Sequence, residues 1–344
     1  MVYIFTTAYN AEKTLHKAVN SILNQTYTDF CYYLFDNGSL DDTRKIIKEY
    51  ANKDNRIIPL FGESNCRRVI PKIIKDIISG DNMLKNSYFA TLDADDEYSP
   101  DFLEKMIDFV EDNNLEVATC GTDWIDEKTG QTIKKKVLSK SLILEGKEFA
   151  DKFPLYRNFI VTLWGGIYSL ELLKKCDFEW YHHAMNFSDT AFCMEAFRRA
   201  KRAGVLSESL HKYYISPSTV SYKYNPDWFY ACKYLHKISR EYLLDYGEIS
   251  KQNENYLCVI FLILIKYILP KIQQADVKLP EKLKSLHNIF TDDMTKYVLE
   301  HWDEVGIYSN KLDFLHEIES WLYTQDGWGL LRKTVEEIIT AMNI

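Results

Sequence analysis

The sequence lacks any C-x-x-C pair. Its seven cysteines (Cys31, Cys66, Cys120, Cys176, Cys193, Cys232 and Cys258) are odd in number and scattered over 344 residues. That pattern excludes a simple disulfide framework and a thiolate zinc site, and it points to a reducing compartment. A basic footprint is missing too. The formal net charge is -8, the pI is about 5.6, and the best cationic run is Lys134-Lys135-Lys136, short enough for a solvated hairpin. Nucleic acid is therefore not an expected partner. Long apolar runs are also absent. The longest, Leu257 to Ile265 and on past Lys266 to Leu269, falls short of the roughly 20 residues of a membrane span. It reads as a buried helix, with peripheral contact to a membrane surface as the alternative. Met1-Val2-Tyr3-Ile4-Phe5-Thr6 has no basic n-region of a signal peptide and enters a strand pattern at once. No internal repeat or low-complexity segment occurs. What remains, 46% hydrophobic and 27% charged, is the composition of a folded protein, long enough for two or three domains.

Alternation organises the first 61 residues. Val2 to Thr6 is a β-rich run, broken by Thr7-Ala8-Tyr9-Asn10. Glu12 to Leu23 reads as an amphipathic helix, because Leu15, Ala18, Val19, Ile22 and Leu23 recur at helical spacing. Cys31 to Phe35 is a second apolar run, ended by Asp36-Asn37-Gly38-Ser39. Asp41 or Asp42 then caps a helix through Ile46, Ile47 and Tyr50, and Ile57 to Phe61 is a third strand. The order β-α-β-α-β predicts a parallel sheet with helices on its faces, whose ligands gather at the carboxyl ends of the strands. Further on, helices are expected at Pro71 to Ile78 and after Ser99-Pro100-Asp101. Strands are expected at Val117 to Thr122, Val205-Leu206 and Leu210 to Ile215, with a hairpin turn at Asp126-Glu127-Lys128-Thr129-Gly130. Beyond about Tyr224 only helical patterns remain, including Lys311 to Tyr323 and Leu330 to Met342. This sets one domain at residues 1–222, with halves at about 1–98 and 99–222, and an all-helical domain at 223–344.

The most charged strand end is Tyr88-Phe89-Ala90-Thr91-Leu92-Asp93-Ala94-Asp95-Asp96-Glu97. An apolar run empties into three carboxylates within four residues. Unpaired like charges at one sheet edge repel. Either a divalent cation or a solvated turn capping the next helix would relieve them. The cation is preferred, because the breaks after the first and second strands fall on the same rim.

In ordered combination these stretches resemble the GT-A glycosyltransferases of family 2, over about two thirds of the chain. Thr7-Ala8-Tyr9-Asn10-Ala11-Glu12 is similar to the family's P-x-Y-N-x-E opening, and Ser21-Ile22-Leu23-Asn24-Gln25-Thr26 to its S-(I/V)-L-x-Q-(T/S). Asp36-Asn37-Gly38-Ser39-x-Asp41-x-Thr43 resembles D-D-G-S-x-D-x-T. Asp93-Ala94-Asp95-Asp96 resembles D-x-D-D, and Phe187-Ser188-Asp189-Thr190 resembles the E-D motif that opens a later helix. Three departures stand out. Asn37 replaces the second Asp of D-D-G-S, Ser188 replaces the Glu of E-D, and Cys66-Arg67-Arg68-Val69 lacks the A-R-N motif.

The resemblance implies an α/β fold of GT-A type: a Rossmann-like, mostly parallel sheet flanked by helices, here followed by the helical domain. It implies an inverting transfer from a nucleotide-diphosphate sugar, UDP-linked by first choice, to an acceptor hydroxyl. It places Thr7, Tyr9, Glu12, Asp36, Asn37, Arg67, Asp93, Ala94 and Asp95 around the nucleotide sugar. Asp95 and Asp93 would hold Mn²⁺ or Mg²⁺, supported by Asp96. Asp189 would be the general base, with helix capping as its alternative role. Trp164 and His183 would face the acceptor, a saccharide, a lipid-linked or a protein hydroxyl, with core packing as the equal alternative for Trp164. A cytoplasmic enzyme, or one peripheral to the inner face of the membrane, building a polysaccharide or glycoconjugate is what the family suggests. The helical tail could pack on the catalytic domain, form a homodimer or touch a membrane. Two other functions compete. A sugar nucleotidyltransferase would want a Gly-rich loop after its first strand, where this chain has Thr7-Ala8-Tyr9-Asn10. A non-catalytic member of the fold would act through its helical tail.

Overall fold

The computed structural model describes residues 1–66, 69–80, 85–184, 187–215 and 225–301. Contacts divide the chain into two units, residues 1–217 and 218–344. The boundary expected at 222/223 lies outside the described residues, as do Arg67 and the helical patterns expected past residue 301.

In the first unit the opening apolar run forms β1 (Val2–Ala8). Val2, Ile4, Phe5, Thr6 and Ala8 are all buried, not merely alternate residues, because β1 has a strand on each side and packed faces above and below. A turn on Ala11 O delays α1 to Leu15–Leu23, three residues later than the periodicity suggests. The buried stripe is Leu15, Ala18, Val19 and Ile22. Then come β2 (Phe30–Asp36), α2 (Thr43–Ala51), β3 (Ile57–Phe61), α3 (Ile70–Gly80) and β4 (Tyr88–Thr91). Strands β3, β2, β1 and β4 lie side by side in that order, all parallel. Strands β1, β2 and β3 end level, with Ala8 opposite Asp36 and Asp36 opposite Phe61, while β4 stops earlier, its last residue Thr91 opposite Phe5.

The rest of the sheet is mixed. It contains β5 (Glu97–Tyr98), α4 (Phe102–Asp112), β6 (Val117–Asp126), β7 (Thr132–Lys136), β8 (Leu142–Glu145), α5 (Glu148–Asp151), α6 (Phe153–Tyr156) and β9 (Gly166–Ser169). Next are α7 (Leu170–Leu173), α8 (Glu179–His183), α9 (Ser188–Arg199) and β10 (Arg202–Ile215). Strand β10 is one long strand where the sequence suggested two. Register shifts between Val205, Ser209 and His211 absorb the polar break. The ten strands run β3-β2-β1-β4-β9-β6-β10-β5, with β7 beside β6 and β8 beside β10. Strand β9 is antiparallel to both β4 and β6. That reversal brings the start of β9, and Trp164-Gly165 before it, to the edge where β4 ends.

The second unit holds α10 (Trp228–Leu244), α11 (Lys251–Gln274), α12 (Leu279–Thr291) and α13 (Asp293–His301). The Ser250 hydroxyl caps α11 by accepting from Asn253 N–H at 3.2 Å. Glu254 ties three helices, pairing with Arg240 and accepting from the Tyr297 hydroxyl at 2.9 Å. The apolar run lies inside α11. Lys251–Ile272 is long and apolar enough, by length and composition, to cross a membrane, yet 56% of its most apolar stretch is buried within the protein.

One motif residue of the first unit is structural. Gln25 is buried, and its amide donates to Ser21 O (2.9 Å) and Ser99 O (2.7 Å) while Leu103 N–H bonds its Oε1 (2.9 Å). It fastens the end of α1 to the start of α4, just after the acidic turn. Gln25→Leu keeps the bulk and orphans these groups. Urea unfolding should show a loss of about 2–4 kcal/mol; an unchanged midpoint would contradict this role.

Candidate active site

Two loops laced together form one side of the rim. After β1, Asn10 N–H donates to Ser39 Oγ (3.0 Å), and Leu40 N–H returns a bond to Asn10 Oδ1 (2.8 Å). Ala11 N–H reaches Thr43 Oγ1 (2.8 Å), and Glu12 N–H reaches Asp41 Oδ2 (3.1 Å). Glu12 Oε2 accepts from Asp42 N–H (3.2 Å), so its carboxylate braces the second loop. Gly38 sits at φ +78°, and a Cβ there would lie 2.7 Å from Ser64 Cα, so only glycine lets the two backbones approach.

The two residues expected to bond the base are turned inward. Asp36 is fully buried, accepting from Arg44 Nε (2.6 Å) and Ser39 N–H (2.9 Å). Asn37 is 5% exposed. Its Oδ1 accepts from Cys66 N–H (2.8 Å), while its Nδ2 donates to Cys66 O (3.0 Å) and Asn65 Oδ1 (3.1 Å). Both residues therefore brace the loop wall. Tyr9, at 43% exposure, and half-buried Thr7 are the open groups on this side.

The acidic turn is the centre of the rim. Leu92 N–H continues the pairing to Phe5 O, and Asp96 N–H turns back onto Asp93 O (3.2 Å). This gathers Asp93, Asp95 and Asp96, whose ligand oxygens all lie within 4.8 Å of one another. Asp93 is exposed, Asp95 half-buried and Asp96 buried. Burial, then the Asp96, Asp95 and Asp189 carboxylates, push it well above the usual range. Burial also raises half-buried Asp95. Asp96, fully buried, is raised by burial and then by Asp95, against the pull of Tyr214 N–H (3.0 Å to Oδ1) and Lys17. Asp96 Oδ2 has no hydrogen-bond partner among the described residues. Carboxylate oxygens, one of them buried and orphaned, are the donor set that a hard cation such as Mn²⁺ or Mg²⁺ takes. Ala94, between them, is buried.

Asp189 arrives from another element. Thr190 Oγ1 donates to Val161 O (2.9 Å) and Cys193 Sγ to Thr162 O (3.3 Å), pinning the first turns of α9 to the segment that leads into β9. The helix opens without a side-chain cap bond at Phe187. Half-buried Asp189 is pushed by desolvation to about 6, and its charge is felt at Asp93.

The acceptor expectations fare differently. Trp164 is 8% exposed. Its indole lies on the His211 imidazole, with ring centres 4.2 Å apart at 14°, and beside Tyr213 at 5.7 Å. It is an inner wall, not the open platform that sugar stacking requires. His183 is exposed on α8, and with His182 it lines a cavity of about 600 Å³ between α3 and residues 173–183.

Sequence reasoning missed four groups here. Lys17 stands over the Tyr214 ring at 3.1 Å, facing Glu97, Asp96 and Asp95. Tyr214 donates its hydroxyl to Glu97. Lys136, lowered to about 8 by burial, sits 5.4 Å from the Trp164 ring. His211, fully buried, is pushed down to about 3 and is neutral. The one available signal was a histidine inside an apolar strand pattern.

Residues 3–175 match the model described as glycosyl transferase family 2. The uncharacterized glycosyltransferase YibD of Escherichia coli K12 is 24% identical over 331 residues, covering 91% of each chain. The uncharacterized glycosyltransferase EpsJ of Bacillus subtilis 168 is 25% identical over 316 residues, 88% of this chain and 86% of that one. Staphylococcus aureus TarS 1–349 in complex with UDP superposes with a TM-score of 0.61 at 17% identity, over 98% of this chain and 88% of that one. The same protein with UDP-GlcNAc gives a TM-score of 0.60. Fold and site together define a glycosyltransferase of the GT-A type. The chain belongs to glycosyltransferase family 2.

The loop wall can be tested apart from activity. Asn37→Asp keeps the acceptor for Cys66 N–H but sets a carboxylate against Cys66 O and Asn65 Oδ1. It should destabilise the protein by about 1–3 kcal/mol in chemical denaturation, although it restores the residue type of the family motif. A stabilised Asn37→Asp variant would show that Asn37 is not the strap.

Proposed function

We propose that the chain transfers a sugar from a nucleoside diphosphate sugar, a UDP-sugar first among them, to an acceptor hydroxyl with inversion. The observation that carries this is the half-buried Asp189, poised at about 6, close enough to the cation-fitting Asp93-Asp95-Asp96 cluster to perturb it. The UDP and UDP-GlcNAc complexes of TarS support the choice of donor.

The reaction makes two demands. Negative charge on the departing diphosphate must be stabilised, and the acceptor hydroxyl must lose its proton as it attacks C1. Asp95 and Asp93, backed by Asp96, would hold Mn²⁺ or Mg²⁺. Such a cation supplies Lewis-acid stabilisation of the leaving group. Asp189 takes the hydroxyl proton. A carboxylate near 6 is mostly ionised at neutral pH yet more basic than an ordinary one. Tyr9 and Thr7 line the base, Glu12, Asp36 and Asn37 keep the loops in register, and Arg67 stays assigned to the donor. The cavity beside His183 serves the acceptor side, for a saccharide, lipid-linked or protein hydroxyl. The setting is cytoplasmic glycan synthesis, with the helical unit available for contact with a membrane or a second copy.

A panel of nucleotide sugars, scored for release of the nucleoside diphosphate, tests the reading. Asp189→Asn should lower kcat by about 10²–10⁴-fold. In the wild type, kcat/KM should rise with pH through a limb centred at or below about 6, since a bound cation favours the ionised base. Full transfer by Asp189→Asn would end the assignment.

Cation binding has its own signature. The folded values of Asp93, Asp95, Asp96 and Asp189 all lie above the ordinary carboxylate range. Between the ordinary and raised values the folded state binds more protons than the unfolded chain. Stability without metal therefore falls as pH rises through that window. Mn²⁺ should raise Tm clearly at about pH 7.5 and much less at about pH 5, where protons compete for the same oxygens. Asp95→Ala should abolish the shift. Equal shifts in wild type and Asp95→Ala would remove the cation from the mechanism.

A further inference from the structure

Two fully buried polar groups meet behind the acidic cluster. His211, on β10, pairs in the sheet with Tyr98 and Thr122. Trp164 covers one face of its imidazole, and Tyr98 meets it edge-on, with ring centres 5.8 Å apart at 73°. Packed this way, the ring has little room to turn. Neither ring nitrogen has a hydrogen-bond partner among the described residues, and neither has Asp96 Oδ2. Yet His211 Nε2 and Asp96 Oδ2 lie only 3.4 Å apart, both on side chains with no exposed surface. Two orphaned buried groups would each cost about 1–3 kcal/mol. A small turn of the Asp96 carboxylate joins them.

We infer that His211 is the positioning residue for the cation site: its Nε2–H holds Asp96 Oδ2, fixing the plane of a carboxylate that Asp93 and Asp95 share with a divalent cation. The other oxygen is already fixed, because Asp96 Oδ1 accepts Tyr214 N–H at 3.0 Å. With one donor on each oxygen the carboxylate cannot swing, and each oxygen keeps a lone pair for the metal. A neutral histidine does this without placing a positive charge beside the cation. Trp164, unavailable as a sugar platform, then has a role as the surface that clamps the imidazole. Outer-shell donors of this kind typically change metal affinity by about 10–100-fold. The inference rests on the cation reading of Asp93, Asp95 and Asp96.

The test is Mn²⁺ binding to the full-length protein by titration calorimetry, with no donor sugar present. His211→Phe keeps a ring against Trp164 and removes the donor. It should weaken Mn²⁺ binding by about 10-fold or more, and, because it leaves Asp96 Oδ2 without its donor, it should also lower the melting temperature of the metal-free protein. His211→Gln, which restores a side-chain N–H, should recover most of the affinity. In an Asp96→Asn background, His211→Phe should weaken Mn²⁺ no further. Wild-type affinity in His211→Phe, or a full additional loss in the Asp96→Asn background, overturns the role. Asp95→Ala separates the two ideas. If it binds Mn²⁺ as the wild type does, the cation reading and this inference fall together. If it loses Mn²⁺ while His211→Phe does not, only His211 is dismissed.

Discussion

Repulsion among carboxylates at the end of β4 is the constraint on which the rest of the site depends. A turn that bonds Asp96 N–H to Asp93 O forces three acidic side chains into a space less than 5 Å across. The protein packed around them and their mutual repulsion hold each carboxyl above its ordinary range, although Asp93 is exposed and Asp95 only half-buried. The surroundings relieve this only in part. Lys17 contributes charge from α1, and Tyr214 contributes one N–H from β10. The protein thus keeps an electrostatic deficit of the kind that a divalent cation would fill.

Much of the fold was legible because the first half follows simple rules. Alternating apolar runs and amphipathic stretches give a parallel sheet, and the polar breaks after Ala8, Asp36 and Thr91 land on one edge since the strands are in register. The second half was less legible for a physical reason. Strand β9 is four residues long and reverses direction between β4 and β6. Nothing local marks which neighbours so short a strand will take. Its placement is what turns Trp164 inward, the core-packing alternative to the acceptor-facing role that the family resemblance implied. His211 was illegible for the same reason: its partner Asp96 is 115 residues away, and the two meet only through the pairing of β10 with β5.

The second loop shows how a motif can keep its shape while its members change task. Gly38 and Ser39 hold the backbone close to Ser64 and Asn10, as the family pattern demands. Asp36, however, is paired with Arg44, and Asn37 offers donor and acceptor together to the backbone N–H and C=O of one residue, Cys66. A carboxylate at residue 37 could accept from Cys66 N–H but would be repelled by Cys66 O. The amide therefore fits the strap better than the family's acid does.

Acid–base roles divide among the four carboxylates according to what perturbs each. Asp93, Asp95 and Asp96 raise one another or answer to other neighbouring charges, so a proton on any of them is shared with the group and is displaced when a cation arrives. None of the three can serve as an independent base. Asp189 is raised by burial alone. It stands on its own helix, fastened through Thr190 and Cys193 to the segment before β9. Its charge is felt at Asp93, but its side chain is carried by a separate element. The proposed reaction needs a site that holds a cation and also accepts a proton; in that reading the sheet edge would supply one kind of acid and the start of α9 the other.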